Sequence, residues 1–391
     1  MREQTWQGCG SSEGRRSGRR RFLSASVAVA AAVVAMGALT PPSASAAAKP
    51  DSVQQSLDAL VRNDGMPAAL AGVKDRDGHV RNYTAGVGDL ATGSKVPKDG
   101  QVRIGSNTKT FTAVVVLQLV GEGKIGLDAS VETYLPGLVR GEGIDGRHIT
   151  VRQLLQHTSG LPNYTDGLDV DAVRYQYFEP RELLDRALKH KADFPPGTKW
   201  AYSNTNYLFA GLIVQKVTGR PLAEEITHRV VDRVGLRHTY FPAVGDMTIR
   251  EAHPKGYRRD SAGAPLRDFT EMDPSWGWAA GQMISTNSDL DRFYTALLGG
   301  GLLPAAQLAQ MRTTVPAEAL GHGDRYGLGI VSRPLSCGGA YWGHGGDIPG
   351  YETRGGATDD GRGAYVAVTT EPSDEAAERR VEAAVDTALC R

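Results

Sequence analysis

Cysteine is scarce in this chain, three in 391 residues, and neither a C-x-x-C pair nor an H-E-x-x-H motif occurs. A dithiol redox centre and a standard zinc site therefore have no support. Charge of one sign is lacking too: 44 basic residues balance 44 acidic ones, so nothing suggests a nucleic-acid partner. Internal repeats are absent, and low-complexity sequence is absent beyond the N-terminal region. Long apolar runs are lacking apart from residues 22–39.

That run follows Arg15, Arg16, Arg19, Arg20 and Arg21 and precedes Ala44-Ser45-Ala46. Basic region, apolar region and small-residue cleavage point, in that order, describe a secretory signal. Arg19-Arg20-Arg21-Phe22-Leu23 fits the twin-arginine type. Residues 1–46 are expected to be removed on export, giving a secreted protein with no membrane span. With no cysteine near Ala46, a lipoprotein anchor is not expected. The leader holds six of the 44 basic and two of the 44 acidic residues, so residues 47–391 carry a net charge of −4. Cys337 and Cys390 remain, and in an exported protein they are expected to pair.

Apolar spacing predicts an amphipathic helix over 51–63 and two short strands over 68–73 and 79–85 about the turn Asp75-Arg76-Asp77-Gly78. Further helices are expected over 150–160, 180–191, 206–218, 222–234, 288–298 and 374–389, and strands over 328–332, 341–343, 351–356 and 364–370. The ends are thus strand and helix and the middle is helical, an α+β pattern of a sheet with helices laid on it. The expected division is a sheet lobe of 47–105 and 275–391 around a helical lobe of 106–274.

Chemistry concentrates at 103–119. Ser106 and Lys109 lie three residues apart at the start of an apolar run, so a helix brings hydroxyl and amine onto one face. That places a nucleophile beside a base. The residues that follow are apolar on nearly every face, the pattern of a helix buried all round. Ser106 is the only serine here with lysine three positions on, and Tyr202-Ser203-Asn204 is the only Y-x-N. Tyr341-Trp342-Gly343-His344-Gly345-Gly346 reads as a strand that ends on uncrowded backbone N–H groups. Two G-x-G-x-x-G matches, at 121–126 and 141–146, lack the flanking strand and helix of a nucleotide site and read as a helix end and a turn. His157 reads as structural, because Ser159 has no G-x-S-x-G elbow.

Together the phrases IGSNTKTFTAVVVLQL, LLQHTSGLPNY, YSNTNY and GHGG, with Cys337 and Cys390, resemble the penicillin-recognising serine hydrolases related to class C β-lactamases. The similarity runs over 51–390 and is strongest to the secreted D-alanyl-D-alanine carboxypeptidases of that family. It implies a β-lactamase/transpeptidase-like fold, a mainly antiparallel sheet flanked by helices plus a helical lobe, with the site between them. It also implies that Ser106 is the acylated nucleophile, that Lys109 and Tyr202 move its proton, and that Asn204 holds the substrate amide. The N–H groups of Ser106 and Asp347 would form the oxyanion hole beside Gly346. His344 takes the place of a basic residue, and Trp276 matches an aromatic lining the cleft.

Three departures stand on the carboxylate-reading side. Gly345 replaces a hydroxyl residue, Asp347 would repel a carboxylate, and Val331 occupies the position of an arginine, for which Arg333 is the expected substitute. The resulting expectation is a monomeric enzyme, without cofactor or metal, acting on a small peptide ending in D-Ala-D-Ala or on a β-lactam. A β-lactamase, an esterase or a D-amino-acid amidase or aminopeptidase of the same fold is the alternative, with Asp347 receiving a substrate ammonium in the last. A non-catalytic penicillin-binding protein ranks below these, since Ser106, Lys109, Tyr202 and Asn204 are all intact.

Overall fold

A computed structural model describes residues 51–391 apart from Ala262; the leader expected at 1–46 lies outside the described residues. The first helix, α1 (Ser52–Asp64), starts where the Asp51 carboxylate accepts from the Val53 N–H and ends at Gly65, whose φ of 65° is the left-handed turn that glycine favours. Its buried face carries Val53, Leu57 and Leu60, the spacing seen in the sequence.

The chain then enters a sheet of nine strands among the described residues: β1 (Ala68–Lys74), β2 (Val80–Gly86), β3 (Val315–Pro316), β4 (Arg325–Tyr326), β5 (Val331–Pro334), β6 (Ala340–Gly343), β7 (Gly346–Ile348), β8 (Tyr351–Thr358) and β9 (Gly363–Val368). Their order is β2-β1-β9-β8-β6-β5-β4-β3, with β7 also paired to β8, and every pairing is antiparallel. β6 and β7 meet β8 in one continuous register, Gly343 opposite Gly356 and Gly346 opposite Thr353. They act as a single strand interrupted at His344-Gly345.

β1, β8 and β9 are buried nearly throughout, because helices cover both faces of the sheet. On one face α1 and the C-terminal helix (Glu375–Leu389) pack Leu57, Leu60, Val381 and Val385 against Ala69, Val366 and Val368. On the other, the helix Asn287–Leu298 packs Leu290, Phe293 and Tyr294 against Tyr365 and Ala367. Between β2 and β3 the chain builds the helical region around α2 (Thr108–Gly121), whose residues 108–119 are all buried. This is the β-lactamase/transpeptidase-like arrangement that the sequence implies. A disulfide joins Cys337 to Cys390, 53 positions apart, and ties the β5–β6 turn to the end of the last helix. In the chain-entropy account such a link is worth about 4 kcal/mol. Among the described residues no helix is long and apolar enough to cross a membrane.

Several element boundaries differ from expectation. The helix expected over 150–160 is Val151–Leu155 only, because His157 adopts a φ of 60° and turns the chain away. That expected over 180–191 ends at Ala187. The one expected over 222–234 is helical throughout but passes through a π-helical turn at Thr227–Val231. The strand expected over 328–332 is a hairpin, β4 and β5, folded at Gly329 with a φ of 77°. β7 and the helices Ala305–Met311 and Trp278–Gly281 are too short to leave a period in the sequence.

One core group works against stability. Asp291, on the sheet-facing side of its helix, is fully buried, and neither carboxylate oxygen has a hydrogen-bond partner among the described residues. It fits only because Gly72 and Gly363 lack side chains there. Burial pushes its pKa well above the carboxylate range. The folded protein therefore binds a proton that the unfolded chain releases, and stability falls as pH rises above the ordinary aspartate pKa of about 3.9. Asp291→Asn is expected to raise the melting temperature at pH 8 and to leave it nearly unchanged at pH 4; thermal unfolding across that range checks this.

Candidate active site

Ser106 lies on a single 3-10 turn, Gly105–Asn107, that leads into α2. Asn107 fixes this turn with a fully buried amide: Nδ2 donates to the Ile104 carbonyl at 3.0 Å and to Thr353 Oγ1 at 2.8 Å, while Oδ1 accepts from Tyr365 at 3.1 Å. Backbone proximity does the rest. A Cβ at Gly346 would lie 2.0 Å from the Ile104 carbonyl oxygen, and one at Gly105 would lie 3.0 Å from the Asp347 nitrogen. Glycine at both positions is thus the condition for the Ser106 turn and β7 to meet. Gly346, expected near the substrate, serves this approach.

One turn into the helix, Lys109 is completely buried, with Nζ 2.9 Å from Ser106 Oγ and donating to the Ala280 carbonyl at 2.8 Å. Burial lowers its pKa well below that of free lysine, and the Asp347 charge offsets this only in part. Tyr202 stands over the amine, its ring centroid 4.9 Å from Nζ, and lines the same hollow as Ser106. Burial raises the phenol's pKa, so it stays protonated at neutral pH. Asn204 caps the helix Thr205–Thr218; its Nδ2 faces Asn163 Oδ1 at 3.3 Å and Thr165 Oγ1 at 3.2 Å. The Asn204 side-chain oxygen is therefore the atom left for a ligand N–H. Asn163 and Thr165 were not singled out in the sequence, although Asn163 lies within the LPNY phrase.

His157 packs its ring 4.4 Å from that of Tyr202, and its Nδ1 accepts from the Ser203 N–H. Its part here is to support the tyrosine. His344, at the place of a basic residue, is buried. Burial lowers its pKa to about 3. The imidazole is neutral, with Nδ1 donating to the Gly345 carbonyl at 2.6 Å and Nε2 accepting from the Tyr326 phenol at 2.9 Å.

Two hollows meet at Ser106. The larger, about 370 Å³, runs from Tyr202 and Asn204 past Asp347 to Arg333, Glu378 and Glu382. The smaller, about 50 Å³, is lined by Tyr164, Trp276 and Gly277. Trp276 is half-buried, and its carbonyl accepts from the Tyr164 phenol. Arg333 reaches the larger hollow but is not free to read a carboxylate. Its Nε bonds both Asp324 oxygens at 2.9 and 3.0 Å, and its Nη1 pairs with Glu382. The second cation, Arg354, was not found from the sequence; it is bonded to Asp347 and Glu378, each at 2.8 Å. Both guanidinium groups in the cleft are thus neutralised by carboxylates, and Asp347, half-exposed, lines both hollows that contain Ser106.

A hydroxyl, a desolvated amine and a neutral phenol brought together at one site can carry out acyl transfer. The family model described as Beta-lactamase matches residues 53–389. A D-stereospecific amidohydrolase from Streptomyces sp. is 40% identical, with a TM-score of 0.78, covering 85% of this chain and 97% of that one. The D-amino acid amidase from Ochrobactrum anthropi SV3 is 27% identical, also at TM-score 0.78, covering 86% and 96%. Penicillin-binding protein 4 of Amycolatopsis lactamdurans is 30% identical over 271 residues, 67% of this chain and 69% of that protein.

If the contact between the Ser106 turn and β7 depends on glycine, Gly346→Ala should destabilise the fold by about 1–3 kcal/mol, the usual penalty for overpacking. Denaturant unfolding measures this.

Proposed function

The chain belongs to the β-lactamase family of serine hydrolases, and we propose that it hydrolyses amides or peptides of D-amino acids bearing a free α-ammonium group. The observation that carries this reading is the charge of the cleft: Arg333 and Arg354 are occupied, and the half-exposed carboxylate beside Ser106 is Asp347. An ammonium gains there what a carboxylate would lose. The likeness to the D-stereospecific amidohydrolase and the D-amino acid amidase supports the D configuration and the amide.

In this reading Ser106 Oγ attacks the amide carbonyl and its proton passes to Lys109 Nζ, which burial keeps unprotonated. The N–H groups of Ser106 and Asp347 receive the developing oxyanion, where one donor is typically worth about a hundred- to a thousandfold in rate. Tyr202, protonated, gives its proton to the leaving nitrogen and is reprotonated from Lys109. Water then attacks the ester, and the same pair returns the proton to Ser106. Asn204 Oδ1 accepts from a substrate N–H. Lys109 rather than Tyr202 is the base because burial pushes the amine down and the phenol up.

The carboxypeptidase reading ranks second, since it needs a free cation for the terminal carboxylate. Export rests on the Arg19-Arg20-Arg21 leader and is part of the proposal; the Cys337–Cys390 disulfide agrees with an oxidising compartment.

The test compares D-alanine amide, N-acetyl-D-alanine amide and diacyl-lysyl-D-Ala-D-Ala. The free amine should lead in kcat/KM by about tenfold or more, the scale of one charge-assisted contact; preference for the diacyl peptide would show the carboxypeptidase reading to be right. Ser106→Ala should abolish every activity. The pH profile should rise as Lys109 loses its proton and fall again as the substrate α-amine, with a pKa of about 8, becomes neutral. A profile with no alkaline fall would speak against an ammonium substrate.

A further inference from the structure

We infer that Arg354 is a specificity-positioning residue: from beneath the strand it locks Asp347 so that the cleft presents a fixed carboxylate to the substrate ammonium. The inference rests on the ammonium reading of Asp347 and adds the device that makes it.

Arg354 lies on β8 opposite Gly345, the interruption between β6 and β7, and its side chain is 8% exposed. Its Nη2 donates to Asp347 Oδ1 and to Glu378 Oε1, both at 2.8 Å, and its Nη1 donates to the Thr353 carbonyl at 3.0 Å. Glu352 Oε2 is 3.5 Å from Nη2, and Glu382 Oε1 is 4.0 Å from Nε. The guanidinium is thus bonded to two carboxylates, Asp347 and Glu378, at once. It holds Asp347 without offering a cation to the cleft.

Glu352 sits directly opposite Asp347 across the β7–β8 pair and is buried, with Oε1 unpartnered among the described residues. Burial pushes its carboxyl up to about 9, so it stays protonated at neutral pH and adds no second negative charge beneath Asp347. The bond from Arg354 is what holds the Asp347 carboxylate from below, and the other charged groups near it are Glu378 and Glu371.

The same arrangement accounts for Gly345. A Cβ at that position would lie 3.0 Å from Arg354 Nη1, 3.1 Å from Cδ and 3.4 Å from Cζ. Arg354 occupies the room that a hydroxyl side chain at 345 would need. Gly345, Asp347 and Arg354 form one packed set across the β6–β7 interruption and β8, and Glu378 braces it from the C-terminal helix.

The experiment measures kcat and KM for D-alanine amide and for propionamide, which lacks the amine, in the wild type, Arg354→Lys, Gly345→Ala and Asp347→Asn. Lysine has one nitrogen and cannot keep the Nη1 bond to the Thr353 carbonyl together with the Nη2 bonds to both carboxylates. Arg354→Lys should raise KM for D-alanine amide roughly tenfold, with kcat within about twofold, and leave kcat/KM for propionamide unchanged. Gly345→Ala presses on the Arg354 side chain at Nη1 and Cδ and should shift the same KM in the same direction. It serves as the second variant if Arg354→Lys folds poorly. Equal losses on both substrates, or no change in KM, overturn the inference. If Asp347→Asn fails to discriminate between the substrates, the ammonium reading itself is wrong. If Asp347→Asn discriminates while Arg354→Lys and Gly345→Ala do not, only the role of Arg354 is lost.

Discussion

Burial of one amine is the constraint on which this structure depends. Lys109 is fully enclosed, yet nothing in its immediate shell is a carboxylate; its Nζ touches the Ser106 hydroxyl and the Ala280 carbonyl. A buried ammonium without a counter-ion is costly, so the group sheds its proton instead. The cost of enclosing it is met by α2, whose other polar side chains are all given partners: Thr108 with the Met283 N–H, Thr110 with the Gly329 carbonyl, Thr112 with the Ala279 carbonyl. The helix can therefore be buried on every side with no polar group stranded, and the base is created by where the fold puts it.

A second constraint is contact between two backbones. The Ser106 turn and β7 come from opposite ends of the sequence, and the Asn107–Thr353 bond alone joins residues 246 positions apart. Gly105 and Gly346 permit the approach, and Asn107 holds it. What faces the substrate on β7 then depends on β8 beneath it. A neutral His344, a Gly345 backed by Arg354 and a braced Asp347 line the strand in that order.

Legibility in the sequence follows the range of the interactions. Ser106 with Lys109, and Tyr202 with Asn204, could be read because each pair is set by local spacing. α1 and the Asn287–Leu298 helix could be read because burial on one side leaves a period. β7 could not, being three residues between glycines, and Arg354 could not, because its meaning comes from Gly345 across the sheet and Glu378 on another helix. The exchange of a hydroxyl for Gly345 was visible but had no visible cause. His344 was read as the counterpart of a basic residue, and Arg333 as the substitute for a missing arginine, from residue type and position alone. Burial removes the charge of the first, and Asp324 and Glu382 engage the second. Residue type signals chemistry only once burial and partners are known.

The central claim is that the fold keeps the Lys109 amine free of its proton. Titration of the lysine side-chain carbons by NMR, in protein with 13C-labelled lysine and with Lys109→Arg to assign the resonance, tests it most directly. The account predicts that the Lys109 resonance titrates well below the ordinary lysine value of about 10.4. A Lys109 signal that titrates at or above that value would contradict it.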